Sequence, residues 1–446
     1  MANAASSPVA PARPRARGML WVAWGVALVY IVAHLALYVA APMLDLGPEM
    51  TEGMGIAVDW RVYQNAGCAQ ANHTPIYPSG AWSDYSNFRY HPVIALAVSP
   101  LCAVDPAGPY TIVVIGLVLA YLAGLALWAR VAAACGFPAR TLETIQNLLP
   151  LAAVASAFLA NTAYGNIGPA LVPLSGALVL ALLRKQSVPA GLLTALIVLF
   201  KPQWAFALVL PIALGEWRLL GRTLLVAVAA YAAVSGVYVV LSGPAYGLDM
   251  LRSYVTFMAG ISANYPWRGS EAMFQTVEHG IYPTLLRYAD FQVWVRPAAD
   301  ALKVLLTGIV AWQFLRAWRV RARLDPARYL QAALVLVLLT YVLGMLLLDQ
   351  LEEALLAGVV FAYVIAIAGT WGDRMSRLIA LPVIFYLLFE IPMLLSIVTE
   401  IWWLALHEII PQTLIALLLL LWALVRLLGR LLANPGRVPA AQAAST

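Results

Sequence analysis

Long runs of apolar residues dominate this chain, and polar residues gather in the short stretches between them. A run of about 20 apolar residues is long enough to cross a lipid bilayer as an α-helix. The pattern predicts spans at residues 19–41, 109–130, 147–163, 166–184, 188–200, 202–216, 221–242, 298–319, 329–348, 351–369, 377–399 and 409–431. The sequence therefore predicts an all-α polytopic membrane protein with about 12 transmembrane helices, counted from these runs.

The stretch 188–216 permits two interpretations, because Pro202 interrupts it near the middle. Proline removes a backbone N–H group and kinks or breaks a helix. The pattern is compatible with two short spans and equally with one helix that is kinked at this proline.

Residues 92–104 form an apolar run that is too short to span. Runs of ~10–14 residues are more often re-entrant or interfacial than transmembrane. We therefore expect a re-entrant or interfacial helix within a first outer loop, residues 42–108. A second outer loop is predicted at residues 243–297, and the two loops together would cap an active site.

The distribution of charge supports this layout, because cytoplasmic loops carry an excess of Lys and Arg. If residues 92–104 do not span, most of the 27 basic residues and few of the 21 acidic residues fall on the side of the N-terminus. We therefore expect a multi-pass protein of the cell membrane with both termini in the cytoplasm. A single transmembrane domain, residues 19–431, would lie between a disordered tail at 1–18 and a second cytoplasmic tail at 432–446.

Composition leads to the same class of protein. Of the 446 residues, 63% are hydrophobic and 11% are charged, and the mean hydropathy is +0.83. A soluble core of this size cannot absorb that much apolar surface. The net charge of +6 follows from the basic inner loops, so it does not indicate binding of nucleic acid.

Three cysteines exclude a disulfide scaffold, and their spacing does not match a metal site. Cys68 and Cys102 could form a disulfide if both face an oxidising compartment. We expect them instead to be unpaired small apolar residues.

The first candidate for chemistry is the stretch Asp59-Trp60-Arg61-Val62-Tyr63 in the first outer loop. Asp59 and Tyr63 are four residues apart and would share one face of a helix. A structural explanation is equally open, in which Trp60 and Tyr63 belong to an interfacial aromatic belt and Asp59 is hydrated.

Three further motifs border apolar runs, namely Phe88-Arg89-Tyr90-His91-Pro92, Tyr164-Gly165-Asn166 and Lys201-Pro202-Gln203. Aromatic residues are common at a span boundary, and Gly-Asn is typical of a tight turn. Lys201 is more informative, because a structural lysine would snorkel outward, and basic residues are scarce on the outer face. The second outer loop has more polar residues than spacing can rank, including Arg252, Arg268, Glu271, Glu278 and His279.

Taken in order, these features resemble the GT-C glycosyltransferases. The shared features are an N-terminal anchor helix, an early acidic residue in the first outer loop, an aromatic-proline segment and an outer Lys-Pro. Within that group the chain is most similar to glycosyltransferase family 87, which includes polyprenyl-phosphate-mannose-dependent α-mannosyltransferases of mycobacterial type. The resemblance covers roughly residues 59–222. His91 stands where a second proline is usual, and Gly165-Asn166 only approximates the Gly-Gln-x-Asn of the family.

The resemblance implies an inverting glycosyltransferase that moves a hexose, most readily mannose, from a polyprenyl-phosphate sugar to a lipid-linked or glycan acceptor at the outer face. Asp59 would act as the general base, and one carboxylate suffices for inversion. Cations must balance the charge on the departing phosphate, and the candidates, in falling order, are Lys201, Arg89, Arg252 and Arg268. Further substrate contacts are expected from Tyr63, Tyr90, His91, Asn166, Gln203, Glu271 and His279.

This chemistry requires no cofactor and no divalent metal. The expected partners are membrane lipid, the polyprenyl-phosphate sugar donor and the glycolipid or glycan acceptor, with no nucleic acid, and the protein is expected to be a monomer. Glu271 or Glu278 is the alternative base. A lipid or glycan transporter, or an export component, is the rival interpretation, and it would depend on an intramembrane acid such as Glu390. A non-catalytic membrane scaffold is the third.

Overall fold

A computed structural model describes residues 14–43, 56–77, 88–264, 281–282, 285, 293–348, 359–370 and 412–433. All regular secondary structure in these residues is helical. The α-helices are α1 Pro14–Met43, α2 Val58–Ala71, α3 Pro92–Val98, α4 Ala107–Ala134, α5 Ala139–Ala153, α6 Ser156–Tyr164, α7 Gly168–Leu183, α8 Ser187–Phe200, α9 Val209–Leu214, α10 Trp217–Leu241, α11 Pro244–Asn264, α12 Val295–Val320, α13 Pro326–Leu348, α14 Val359–Thr370 and α15 Gln412–Ala433. Short 3₁₀ helices cover Ser99–Leu101, Pro202–Leu208 and Arg321–Arg323.

Within the described residues, 6 helices are long and apolar enough to cross a membrane. They are α1, α4, α10, α12, α13 and α15, and the pair α5 and α6 would make a seventh if it forms one bent span. The all-helical membrane class is therefore confirmed. The total of about 12 spans and the re-entrant character of residues 92–104 remain predictions, and the predicted span at 377–399 lies outside the described residues.

The interior of the bundle is built around α13. Residues 332–339 of this helix are buried without interruption, and the helix packs against α14, α15 and the 3₁₀ segment after Lys201. A helix that is apolar on every side belongs in the middle of a membrane bundle. We refer to α13, α14 and α15 as the apolar bundle.

Two helices occupy the predicted span at 147–163, so this stretch is not one straight helix. α5 already begins at Ala139, and the chain bends by 41° between α5 and α6. Pro150 inside α5 weakens the helical hydrogen bonding just before the bend. At the end of α5 the Ala152 carbonyl accepts hydrogen bonds from the Tyr121 hydroxyl at 2.6 Å and from the Ala155 backbone N–H at 3.3 Å.

The stretch 188–216 is neither two regular α-helices nor one kinked helix. α8 ends at Phe200, Lys201 is extended with φ −141° and ψ 94°, and the chain continues as a 3₁₀ helix before the short α9. Pro202 explains the break, because a residue that precedes proline is pushed out of the α-helical region.

The first outer loop contains α2 and α3, which pack closely together. Cys68 and Cys102 form a disulfide with a Cα–Cα distance of 4.8 Å, so the expectation that they are unpaired is wrong. A Cβ atom at Gly67 would lie 2.9 Å from the Val98 carbonyl carbon. Glycine therefore permits the close approach that brings the two cysteines together, which spacing along the sequence could not indicate.

The second outer loop does not begin as a loop, because α11 covers residues 244–264. α11 packs against α10 and α3, and Met250, Tyr254 and Phe257 are buried on one of its faces. These residues recur at intervals of three and four, which is the helical period. The charged residues Asp249 and Arg252 on the other faces made this stretch resemble a polar loop.

Candidate active site

Asp59 lies in the first turn of α2, where the positive end of the helix dipole favours a carboxylate. The start of α2 is fixed by Ala57, which has a left-handed φ of 61° and donates its backbone N–H to the Ala163 carbonyl at 2.8 Å. Trp60 and Tyr63 are buried, and Asp59 is only partly buried. Asp59 therefore lies at the edge of a buried surface and remains accessible.

The turn between α6 and α7 supports the start of α2. Gly165 ends α6 with a left-handed φ of 71°, and a Cβ atom there would lie 2.9 Å from the Trp60 Cβ. Only glycine accepts both the backbone conformation and this contact. The predicted tight turn at residues 164–166 is thus confirmed, and α2 packs directly on it.

Asn166, the residue after this glycine, joins the two charged candidates. Its Nδ2 group donates a hydrogen bond to Asp59 Oδ2 at 2.6 Å. Its Oδ1 atom accepts hydrogen bonds from Lys201 Nζ at 3.1 Å and from the Gly168 backbone N–H at 2.8 Å. We refer to Asp59, Asn166, Gly168 and Lys201 as the Asn166 cluster.

Lys201 reaches this cluster because the chain leaves α8 at that residue. Its backbone N–H still donates to the Ile197 carbonyl at 2.8 Å, and its carbonyl accepts from Trp204 at 2.9 Å. The main chain on both sides is thereby fixed, and the partly buried side chain extends to Asn166. The break that Pro202 causes is therefore the feature that places the ammonium group.

Tyr63 and Tyr90 form a buried pair beside Asp59. The Tyr63 hydroxyl donates to the Tyr90 hydroxyl at 2.9 Å and accepts from the Ile167 backbone N–H at 3.4 Å. Burial, followed by the proximity of Tyr90 and Asp59, raises the pKa of Tyr63 well above its usual value. Tyr63 is therefore a neutral hydroxyl that connects α2 to the turn at residues 165–168.

His91 is not part of the Asn166 cluster and instead contacts Ser235 of α10. The ring is fully buried, with Nδ1 accepting from the Val93 backbone N–H at 3.2 Å and Nε2 lying 3.1 Å from Ser235 Oγ. Burial lowers the pKa of His91 to about 4. The ring is therefore neutral at physiological pH, and both of its nitrogens bond to protein groups.

Some residues near the site were missed in the sequence. Gln70 is buried and accepts a hydrogen bond from the Tyr238 hydroxyl at 2.9 Å, while its Nε2 donates to Ser242 at 3.0 Å. Gln70 follows Tyr63 by seven residues, so the helical period could have placed it on the same face of α2. Tyr77 donates its hydroxyl to the Tyr90 carbonyl at 2.7 Å, and no local pattern indicates that contact.

The structure thus brings together Asp59, Tyr63, Tyr90, Asn166 and Lys201. Arg89 and Gln203 are partly buried, and each lies within two residues of a member of this group in the sequence. Arg252 is exposed on α11. The other candidates lie outside the described residues, namely Arg268, Glu271, Glu278, His279 and Glu390. No group of three or more His, Cys, Asp or Glu side chains converges within the part of the chain that the structure describes.

Comparison with models of protein families gives a match. The model of glycosyltransferase family 87 matches residues 88–348, more than half of the chain. Neither curated proteins nor solved structures give a match. The matched region contains Tyr90, Asn166 and Lys201, while Asp59 precedes it and is joined to it by the Asn166 hydrogen bond. This chain has the apolar helices of a membrane protein, and the family model matches more than half of it. The chain therefore belongs to glycosyltransferase family 87.

Proposed function

We propose that this glycosyltransferase moves a hexose, namely mannose, from a polyprenyl-phosphate sugar to a lipid-linked or glycan acceptor at the outer face of the membrane, with inversion. One observation carries the proposal. A partly buried carboxylate and a lysine ammonium group bind the same amide, that of Asn166, in a member of family 87. The reaction needs a base for the acceptor and a cation for the leaving phosphate, and this cluster supplies both.

Asp59 is the proposed general base. Asn166 occupies Oδ2, which leaves Oδ1 as the oxygen proposed to face the acceptor. That oxygen can therefore accept the proton of an acceptor hydroxyl at the ordinary hydrogen-bonding distance of about 2.6–3.2 Å. A single carboxylate that deprotonates the acceptor supports direct displacement and hence inversion at the anomeric carbon.

Lys201 is the proposed counter-ion of the leaving phosphate. Charge that develops on the departing group is stabilised most effectively by a preorganised cation with little water around it. Lys201 is partly buried, and its backbone is hydrogen-bonded on both sides. Arg89 is the next candidate, followed by Arg252 and Arg268.

The surroundings of the site suit a donor with a lipid tail. α10 contributes Ser235 and Tyr238 to the contacts around His91 and Gln70. The same stretch of α10 exposes Val237 and Val240 on its other faces. A polyprenyl chain could therefore lie along α10 while its phosphate approaches the Asn166 cluster.

The disulfide between Cys68 and Cys102 supports placing the site outside, because disulfides persist in oxidising compartments. Single cysteines at two exposed positions, Asp105 and Gln186, test this orientation. In intact cells a membrane-impermeant maleimide should label Asp105→Cys, and Gln186→Cys should react only after permeabilisation. The reverse pattern would contradict an outer active site.

The function itself is tested with purified protein, polyprenyl-phosphate hexoses labelled in the sugar, and a membrane lipid extract. We expect transfer from polyprenyl-phosphate mannose, above the transfer from the glucose and galactose donors, and undiminished by a divalent-metal chelator. The Asp59→Asn variant serves as the control with strongly reduced transfer. Transfer from a nucleotide sugar but from no lipid-linked donor would contradict the proposed donor class.

A further inference from the structure

The amide of Asn166 has little capacity left for a substrate. Its oxygen accepts two hydrogen bonds, from Lys201 and from the Gly168 N–H, and its nitrogen donates one to Asp59. A side-chain amide offers two acceptor positions and two donor hydrogens. The residue is 3% exposed, so the remaining hydrogen is not accessible to a sugar.

The surrounding groups also fix which way the amide points. Lys201 Nζ and the Gly168 N–H are both donors, so the side-chain oxygen must face them and the NH₂ group must face Asp59. The backbone N–H of Asn166 donates to the Asn161 carbonyl at 2.8 Å, which holds the residue in the turn. The amide is therefore anchored independently of any ligand.

We propose that Asn166 is a positioning residue that orients the Asp59 carboxylate and the Lys201 ammonium group relative to each other, and that it does not bind substrate. This inference rests on the proposed function, in which those two groups act on acceptor and donor. The amide binds one carboxylate oxygen of Asp59, Oδ2. Because its other end binds Lys201, one side chain sets the geometry of both charged groups.

The first test separates positioning from substrate binding by kinetics with polyprenyl-phosphate [¹⁴C]mannose. Asn166→Ala should lower kcat by about 10- to 100-fold, the equivalent of a lost hydrogen bond to a charged group. In the Asp59→Asn background the same change should lower kcat little further, since the carboxylate through which Asn166 affects kcat is already absent. Its effect on the KM for the donor, which arises through Lys201, should persist. If the double variant lost kcat by the product of the factors seen in the two single variants, the two residues would act independently and the proposal would be overturned.

Asn166→Asp makes the test sharper, because a carboxylate keeps the acceptor oxygen for Lys201 and Gly168. The oxygen that replaces Nδ2 repels the Asp59 carboxylate or shares a proton with it, and either effect makes Asp59 a poorer base. We expect kcat to fall while the KM for the donor stays close to that of the wild type. Asn166→Ala also releases Lys201, so it should raise the KM for the donor as well. An Asn166→Asp variant with unchanged kcat would show that the contact with Asp59 does not matter for catalysis.

Thr162 provides a matched control in the same turn. It is buried, and its hydroxyl donates to the Phe158 carbonyl at 2.8 Å, within its own helix. Thr162→Val should therefore keep wild-type kcat, and its thermal midpoint shows how much a general loosening of the turn contributes. If Thr162→Val reduced kcat as far as Asn166→Ala does, the effect would be structural and the proposal would fail.

A readout that needs no substrate distinguishes this inference from the proposed function. Thermal midpoints in detergent for Asn166→Ala, Asp59→Asn and the double variant form a cycle, and a hydrogen bond between the two residues makes the changes non-additive. Additive midpoints would overturn the inference. If the wild type used no polyprenyl-phosphate hexose, the proposed function would fail, and this cycle alone would decide the positioning role.

Discussion

The apolar bundle and the Asn166 cluster are held together by different physical means. In the apolar bundle, residues 332–339 of α13 are buried on every side and touch other apolar side chains. The Asn166 cluster depends on single hydrogen bonds between a loop helix, a turn and a helix break. Packing in the first region has many small contributions, whereas the geometry of the second depends on a few atoms.

The comparison indicates that stability and chemistry reside in different parts of this chain. Changes in the apolar bundle should reduce stability and leave the reaction alone. Changes in the Asn166 cluster should reduce the reaction and alter stability by no more than the contribution of single hydrogen bonds. The following predictions test that separation, beginning with the largest expected effect.

The first prediction concerns the proposed base. Asp59→Asn should lower kcat by about 100- to 10,000-fold, the usual contribution of general-base catalysis. The substitution is nearly isosteric, and Asp59 is only partly buried, so the thermal midpoint in detergent should stay near that of the wild type. Binding of the donor should survive, since the phosphate contacts are made by other residues.

Asp59→Glu provides the control for position. A carboxylate displaced by one methylene group leaves the line between the acceptor oxygen and the anomeric carbon, so this variant should also be slow. If Asp59→Asn transferred sugar at the wild-type rate while Glu271→Gln or Glu278→Gln did not, the base would lie in the second outer loop instead.

The second prediction concerns Lys201. Lys201→Ala should lower kcat/KM for the donor by about 30- to 5,000-fold, because removing the charged partner of a phosphate in a poorly hydrated site costs about 2–5 kcal/mol. Lys201→Arg should recover part of this rate. Wild-type kinetics in the alanine variant would assign Lys201 a purely structural role at the end of α8.

The third prediction moves to the apolar bundle. Leu339→Ala removes a side chain that is fully buried in α13, and such a change typically costs about 2–5 kcal/mol through reduced packing and the resulting cavity. The thermal midpoint should fall clearly, while kcat measured well below that midpoint should equal the wild-type value. A variant with normal stability and impaired kcat would break the separation between the two regions.

The sequence allowed much of the apolar part to be predicted, because hydropathy reports directly on burial in a bilayer. α1, α4, α10, α13 and the all-helical membrane class follow from run length alone. α11 was missed, because its exposed charges hide an apolar face that packs on α10 and α3. The form of the segment after Lys201 depends on one proline, and hydropathy carries no information about it.

The candidate site was predicted in its members but not in its connections. Asp59, Asn166 and Lys201 were each singled out by local motifs, but nothing in their spacing shows that one amide joins them across 107 and 35 positions of sequence. The disulfide was missed for the same reason, since the contact between α2 and α3 depends on Gly67. Long-range contacts of single atoms arise from tertiary packing, which a one-dimensional pattern does not record.

The last and smallest effect is a loss of stability when the pH is lowered, and it concerns His91 in the first outer loop. His91 is buried as a neutral ring with a pKa of about 4, whereas an exposed histidine has a pKa of about 6.5. The unfolded chain therefore binds a proton that the folded chain excludes. This contribution to stability is fully present above about pH 6.5 and is lost progressively as the pH falls toward 4.

At pH 5 the loss should amount to about 2 kcal/mol. The rings that face His91 belong to Tyr231, Tyr238 and Tyr254, and tyrosines do not titrate in this range. The measurement compares thermal midpoints in detergent at pH 7 and pH 5 for the wild type and for His91→Asn. Asparagine can still cap α3 by accepting from the Val93 N–H, and it cannot be protonated. The drop between the two pH values should be smaller in this variant, and an equal drop would mean that His91 is not the group that titrates.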